Sequence, residues 1–271
     1  MSRQISISSK AIFTVALSLD LCAIVLLPHQ VLSLTNKVER DFISSENFPA
    51  SNFEIAQYVP PKNLGVPPET ASGATRSGSC SRDEQSTSIL LTALIPSLNK
   101  DDNWALTTAE NPQMFVYVPQ TSARMAEFAL QDEDGKDVYR TTFTISGAAG
   151  IVSFSVPKNA VKLEKNQNYH WYFSIFCSDK NRRQSSTVDG WIRRVELNSL
   201  RPNLANELEG VGEKERSQLY AQNGVWYDAL ATLAELRRDD PNDTALAQEW
   251  KKLLESAGLK ELGDFPIIPL N

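Results

Sequence analysis

An acidic cluster is the densest group of chemically capable side chains in this sequence. Residues 132–137 read Asp-Glu-Asp-Gly-Lys-Asp and place four carboxylates around one glycine. Carboxylates at this density could bind calcium or act as paired acids, but a calcium loop of the EF-hand type needs a different acid spacing between two helices. The flanking stretches, 126–131 and 138–145, alternate apolar and polar residues as strands do. Asp134-Gly135 therefore predicts a hairpin turn, since glycine accepts positive φ at no steric cost.

Few other residues could carry out catalysis or bind a metal. His170 is the one histidine beyond the N-terminal region, and no G-x-S-x-G motif accompanies it. One histidine and two distant cysteines give no zinc-ligand spacing, and the glycine-rich run 146–150 lacks the lysine of a phosphate loop. The acids that could pair for glycoside hydrolysis are Asp132, Asp134, Asp189 and Glu196. Nothing sets them apart from surface acids, so we predict no catalytic residue, no metal site and no cofactor.

The N-terminus predicts export from the cytoplasm. A positively charged start precedes an apolar run over 11–27, and small residues follow. This order is typical of a secretory signal peptide, which we predict for residues 1–33 with cleavage after Ser33. A retained membrane anchor is the alternative, but the run falls short of about 20 apolar residues and contains Asp20. We therefore predict a periplasmic or secreted protein with no stable membrane span after signal cleavage.

Export changes how the cysteines are interpreted. Without the leader, Cys80 and Cys177 remain. An even number of cysteines in an exported protein predicts a disulfide, which the chain-entropy model credits with about 4–5 kcal/mol for a loop of this length. Two unpaired buried thiols are the alternative. The formal net charge of −6 argues against a general affinity for nucleic acid.

The composition divides the remaining chain into three regions. Residues 34–79 are rich in Pro, Ser, Gly and Asn without a sustained hydrophobic period, which predicts a disordered tether. Residues 80–198 contain about seven short runs with strand-like alternation, separated by turn residues and without intervening helical patterns. This pattern predicts an Ig-like antiparallel β-sandwich. Residues 203–262 change to a helical period, so the fold class predicted is β-rich α+β.

The helical region predicts a hairpin of two helices and then a third helix. The hairpin resembles a single tetratricopeptide repeat, although Ser217 stands at the usual glycine position of that motif. The residues with the spacing of the motif are Tyr220, Gly224, Trp226, Ala229 and Pro241. One copy does not form a solenoid, because about three stacked repeats are needed to bury their faces. We expect these helices to cover the sandwich or to pair with another chain, and the candidate interaction residues are Tyr220, Trp226 and Trp250.

Several stretches between Cys80 and Leu262 together resemble a family of exported cyanobacterial proteins catalogued as domain of unknown function number 928. Among them are FVYVP, GIVSFSVP, YHWYFSIFC and LYAQNGVWYDALATLAELRR. The resemblance implies secretion and a β region fused to a helical region. It implies no known activity and assigns no catalytic residue.

These observations favour a non-enzymatic exported protein that acts as a protein-interaction or envelope scaffold module. Its expected partner is an unknown envelope protein or a glycan. The alternative is a carbohydrate-binding module or a carbohydrate-active hydrolase, since exposed rings on a sandwich can form a sugar platform. The rings considered for such a platform are Phe115, Tyr117, Trp171, Tyr172 and Trp191.

Overall fold

The computed structural model describes residues 57–61, 89–98, 104–177 and 184–270. These residues belong to one compact unit, Asn52–Asn271. The predicted signal peptide with its cleavage at Ser33 lies outside the described residues, and so does Cys80. Cys177 is partly buried against the core at the end of a strand, and its pairing with Cys80 stays a prediction.

The described residues form a mixed α+β fold with two sheets and five α-helices. The strands are β1 (Thr92–Ala93), β2 (Trp104–Thr107), β3 (Gln113–Val118), β4 (Met125–Gln131), β5 (Asp137–Thr144), β6 (Gly150–Ser155), β7 (Asn168–Phe176), β8 (Ser185–Arg194) and β9 (Ile267–Ile268). The first sheet has the order β1-β3-β6-β9 and the second has the order β2-β8-β7-β4-β5. Most neighbouring strands are antiparallel, as the sequence predicts.

Two strand pairs correct the expectation of a purely antiparallel arrangement. Strand β2 runs parallel to β8, and β9 runs parallel to β6. Parallel neighbours need a long connection between them. The chain provides one in each case, because β2 and β8 lie far apart in sequence, and two strands and all five helices lie between β6 and β9. Both strands escape sequence analysis because they have four and two residues, too few to show alternation.

Aromatic rings fill the space between the two sheets. Phe154 projects from β6 of the first sheet and contacts Phe128 and Phe173 of the second, with ring centroids 4.8 and 5.0 Å apart. Trp171 lies 6.0 Å from the same ring and has no exposed surface. Residues of the same parity along β7 therefore face the core, as the sequence predicts for Trp171, Phe173 and Ile175.

The acidic cluster forms the turn between β4 and β5, which confirms the hairpin prediction. Gly135 has a φ of +77° and its amide donates to the Asp132 carbonyl at 3.0 Å. A carboxylate oxygen of Asp132 accepts from the amides of Asp134 and Lys136. The carboxylate thus stabilises the turn itself.

The helices follow the second sheet in sequence and pack on the strands. They are α1 (Leu197–Leu200), α2 (Leu204–Glu209), α3 (Glu213–Gln222), α4 (Trp226–Asp239) and α5 (Thr244–Ser256), followed by a 3₁₀ helix (Lys260–Leu262). Helices α3 and α4 form an antiparallel hairpin, and α4 contacts β2 and β3. Ser217 is buried within the hairpin, where its hydroxyl donates to the Ala229 carbonyl at 2.8 Å. A buried hydroxyl is acceptable there because it has an acceptor.

A buried tyrosine links the hairpin to the second sheet. The hydroxyl of Tyr227 accepts from Nε1 of Trp171 at 2.7 Å and donates to the Trp191 carbonyl at 3.3 Å. Burial raises the pKa of Tyr227, so the phenol stays protonated and available as a donor. The hydrogen bonds fix the position of α4 relative to β7 and β8.

Candidate functional site

Residues 57–61 pack against the helices, although the sequence predicts them to be part of a disordered tether. Tyr58 is only 5% exposed, and its ring meets Trp226 edge to face with a centroid distance of 5.2 Å. A single aromatic residue among Pro, Ser and Gly gives no periodic signal, so its burial depends on a contact that sequence analysis does not detect. The prediction of a tether is corrected for these residues, and the rest of 34–79 lies outside the described residues.

Two backbone amides of this segment donate to groups at the helix ends. The amide of Tyr58 donates to Oγ of Ser256 at 2.8 Å. The amide of Val59 donates to the carbonyl of Ala221 at 3.0 Å. The last carbonyls of a helix have no intrahelical partner, so the end of α3 offers an acceptor to an incoming chain. The helices therefore bind a peptide segment through its backbone and one ring.

The three predicted interaction residues have different environments. Trp226 and Trp250 have no exposed surface. Nε1 of Trp226 donates to the Leu94 carbonyl at 2.8 Å, and the Trp250 ring packs edge-on against Phe115 of β3. Both tryptophans hold the chain's own core together, which corrects their interpretation as residues available to a partner. Their apolar stripe is typical of core packing as well as of an interface, so its spacing could not distinguish the two.

Tyr220 is half-buried and lines a groove between the helical hairpin and the strands. The groove has a volume of about 390 Å³. It is lined by residues that include Thr107, Asn111, Arg216, Tyr220, Asp228 and Thr232. Burial raises the pKa of the Tyr220 phenol, so it enters the groove as a neutral donor. The structure thus brings one predicted interaction residue to a concave surface.

Asp228 contributes a carboxylate to the same groove, although no motif in the sequence singles it out. Its carboxylate accepts from the hydroxyls of Thr107 and Thr108 and from the amide of Thr108. These bonds connect the first turn of α4 with the end of β2. Burial nevertheless raises the pKa of Asp228, because it disfavours the charged form more than these donors favour it. The other ionisable groups that line the groove are Glu213, Arg216, Tyr220, Tyr227 and Glu235.

The raised pKa of Asp228 predicts a loss of stability with rising pH. The folded state keeps a proton that the unfolded chain releases near pH 3.8. The contribution of this bound proton to the stability of the fold is therefore complete below pH 3.8. It is lost as pH rises through the higher pKa that Asp228 has in the folded state. We expect the free energy of unfolding of the wild type, relative to Asp228→Asn, to fall by about 1.4 kcal/mol per pH unit between the two pKa values. Urea unfolding of both proteins from pH 4 to 8 measures this difference.

The exposed turn residue Asp137 provides a control of opposite sign. Hydrogen bonds from Gln131 and then Arg140 lower the pKa of Asp137. The stability difference between the wild type and Asp137→Asn should not fall as pH rises. A difference between the wild type and Asp228→Asn that stays constant with pH would contradict the assignment for Asp228.

His170 lies on the face of β7 opposite the core and is only 3% exposed. Its Nε2 is 2.7 Å from Oδ2 of Asp189, and its Nδ1 is 2.8 Å from the Tyr172 hydroxyl. Its ring stacks on Trp191 at a centroid distance of 4.3 Å. Both ring nitrogens therefore have a hydrogen-bond partner within the sheet. This arrangement stabilises the sheet face, and the burial of the ring leaves it closed to a substrate.

The rings considered for a sugar platform are mostly unavailable. Four of them are buried, namely Phe115, Tyr117, Trp171 and Trp191. Tyr172 alone is partly exposed, beside a depression of about 230 Å³ that Glu127 and Arg140 also line. Arg140 forms ion pairs with Glu127 and Asp137 there. One partly exposed ring does not make a flat platform for a glycan.

Two further properties are evident in the described part of the chain. Its His, Cys, Asp and Glu side chains form no cluster of three or more that could hold a metal ion. None of its helices has the length and apolar character needed to cross a membrane.

The fold defines an α+β protein with two sheets, a helical hairpin and a groove between them. A family model described as Domain of Unknown Function (DUF928) matches residues 71–267, and the chain belongs to this family. The family carries no assigned activity. No curated protein matches the chain.

Two solved structures show a weak similarity. One is the β-glucuronidase of Parabacteroides merdae, with 12% identity over 66% of this chain and 33% of that chain and a TM-score of 0.23. The other is the same enzyme with glycerol in its active site, with 13% identity over 66% and 32% and a TM-score of 0.20. The chain spans about a third of the length of these structures. Similarity at this level does not bear on fold or activity.

Proposed function

We propose that this protein is an exported, non-enzymatic interaction or envelope scaffold module of cyanobacterial origin. Its leader, residues 1–33, is removed after Ser33, and the mature protein is periplasmic or secreted. The two sheets act as an Ig-like sandwich that a disulfide between Cys80 and Cys177 stabilises. The α3–α4 hairpin acts as a tetratricopeptide-like element fused to it.

The observation that carries the proposal is the groove between the hairpin and the strands. Concave surfaces with a few placed polar groups are the usual sites for ligands and partner segments. Tyr220 presents an amphipathic ring there, and Arg216 lies on the same face of α3 one turn earlier. Tyrosine and arginine are enriched among the residues that dominate binding energy at protein interfaces. The partner is therefore an envelope protein that inserts a polar segment into this groove.

The environments of the chemically capable side chains support a binding role over catalysis. His170 is buried, with 3% of its surface exposed, so its ring is closed to a substrate. A carbohydrate-active hydrolase, the alternative, would use groove carboxylates, and Asp228 has the raised pKa of a general acid. However, the hydroxyls of Thr107 and Thr108 and the amide of Thr108 all donate to its carboxylate, which holds it in place as a link between α4 and the end of β2. A carbohydrate-binding module would need exposed rings, and most of the candidate rings are buried.

Site-specific photo-crosslinking in exporting cells tests the proposal. A photoreactive residue replaces Glu235, which is exposed and lines the groove, or Lys252, which is exposed on α5 and does not line it. We expect one adduct of defined mass from position 235 and none from position 252. Tyr220→Ala in the position-235 protein should reduce the adduct at least fivefold without loss of folding. Equal adducts at both positions, or none at position 235, would contradict a partner site in the groove.

A further inference from the structure

The segment 57–61 contacts the helices as a ligand contacts a binding site. Tyr58 is 5% exposed whereas its neighbour Val59 is 45% exposed, so the two side chains have opposite environments. Recognition therefore depends on one ring and on the backbone amides that donate to Ser256 and Ala221. The two amide bonds and the ring contact are made with the ends of α3, α5 and α4.

A proline completes the contact at the turn of the hairpin. Gly224, between α3 and α4, has a φ of +76°. A β-carbon at this position would come within 2.4 Å of Cγ of Pro61. Glycine is therefore required at position 224 for two reasons. The turn needs a positive φ, and the ring of Pro61 lies where a β-carbon would be. Pro60 and Pro61 also restrict the segment towards an extended backbone before it binds, which lowers the entropy lost on docking.

The groups that contact the segment are also bonded to the rest of the fold. Its parts are the end of α3, the start of α4 and the end of α5, which contribute Ala221, Trp226 and Ser256. The Trp226 indole is held by its bond to the Leu94 carbonyl, and the Ser256 hydroxyl is held by its bond to the Leu253 carbonyl. Both groups are thus positioned by the fold itself.

The covalent connection allows the segment to reach beyond its own molecule. Residues 62–79, which are 18 residues, separate Pro61 from Cys80, where the proposed disulfide attaches the chain to the fold. A chain of that length spans about 60 Å when extended, since each residue contributes about 3.3–3.6 Å. That is several times the radius of gyration of about 17 Å expected for a domain of roughly 200 residues. The connection therefore does not restrict the segment to its own binding site.

We propose that the cleft formed by Ala221, Trp226 and Ser256 is a recognition site for a tyrosine followed by Val-Pro-Pro, and that a second copy of this chain can supply this segment in exchange. Exchange of an identical element between copies is a route to dimers that creates no new contact, because each site binds the same residues as before. This inference concerns the helix ends and does not depend on a partner in the Tyr220 groove. Either proposal can fail without the other.

Two full-length variants with complementary defects test the exchange. Tyr58→Ala has a defective segment and an intact site. Gly224→Asn has an intact segment and a blocked site, and asparagine tolerates the positive φ of the turn. We expect each variant alone to be monomeric by light scattering and an equimolar mixture at about 0.3 mM to contain a 1:1 heterodimer. A mixture of folded variants that stays monomeric would overturn exchange between copies.

A synthetic peptide tests recognition separately. A fluorescent peptide of residues 54–64 should bind Tyr58→Ala at least tenfold more tightly than it binds the wild type, whose site its own segment occupies. Val59→Ala is the matched control, since that side chain is exposed, and it should behave as the wild type. Gly224→Asn should not bind the peptide. Absence of binding to folded Tyr58→Ala, or equal binding to all four proteins, would overturn recognition.

Circular dichroism establishes that each variant is folded before binding is measured. If Tyr58→Ala does not fold, Pro61→Ser replaces it as the variant with a weakened segment. That substitution keeps the tyrosine, and it removes both the proline ring beside Gly224 and its restriction of the backbone. The peptide should then bind Pro61→Ser more tightly than the wild type, and equal binding would contradict the proposal.

Discussion

Replacing Trp226 with alanine lowers the free energy of unfolding by about 3–5 kcal/mol, the range for removing a large buried aromatic side chain. The indole has no exposed surface, so its removal leaves a cavity at the start of α4. It also leaves the Leu94 carbonyl without its donor and the Tyr58 ring without its aromatic neighbour. An unsatisfied buried acceptor adds a cost of its own. Urea unfolding followed by tryptophan fluorescence and circular dichroism measures the change.

Two further variants separate packing from hydrogen bonding at this position. Trp226→Phe keeps much of the ring and loses the bond to Leu94, so we expect a smaller loss of about 1–2 kcal/mol. Leu98→Ala is the surface control, because Leu98 is 43% exposed, and its effect should stay within about 0.5 kcal/mol. A Trp226→Ala protein as stable as Leu98→Ala would show that the indole does not support the fold.

The elements that sequence analysis predicts well are those long enough to show a period. Strands β4 to β7 have six to nine residues each, which is long enough for an alternating or an aromatic run to be recognised. Helices α4 and α5 have 14 and 13 residues and carry clear apolar stripes. In both cases the hydrophobic face is repeated several times, so one exception does not hide it. Helices α1 and α2, with four and six residues, lack that repetition.

The first predicted strand shows the limit of β-propensity. Residues 89–96 are rich in Ile, Leu and Ala, but only Thr92–Ala93 pairs as a strand. The surrounding residues Leu91, Leu94 and Ile95 are buried all the same. Apolar composition thus predicts burial correctly here, whereas the hydrogen-bonding pattern depends on the neighbouring strand β3.

The candidate site was predicted less well than the fold, since it depends on contacts between distant residues. The Asp228 carboxylate is held by hydrogen bonds from Thr107 and Thr108, which are about 120 positions earlier in the chain. The Tyr58 amide is bonded to the hydroxyl of Ser256, which is 198 positions later. Neither contact leaves a local pattern. Tyr220 was selected from its spacing in the helical motif, and the structure places it in the groove.

The second large effect concerns the contact between the two sheets. Phe154→Ala should lower the free energy of unfolding by about 3–5 kcal/mol. The Phe154 ring crosses from the first sheet to contact Phe128, Trp171 and Phe173 of the second, so its removal opens a cavity that both sheets line. The surrounding rings belong to paired strands and can relax into that cavity only in part. The aromatic pairs stabilise the fold by more than the apolar area that they bury. We therefore expect the loss in the free energy of unfolding to lie towards the upper end of the range.

The stability loss of Phe154→Ala is compared with the losses of a conservative variant and a surface variant. Phe154→Leu retains most of the apolar volume and should cost about 1–2 kcal/mol. Leu90→Ala removes a side chain that is 45% exposed and should change the stability by less than about 0.5 kcal/mol. Unfolding of all three proteins in urea gives the comparison. If Phe154→Ala unfolds at the same urea concentration as Leu90→Ala, the association of the two sheets does not depend on this ring. Helix α4 must then hold the sheets together. It is bonded to the second sheet through Tyr227 and contacts β3 of the first.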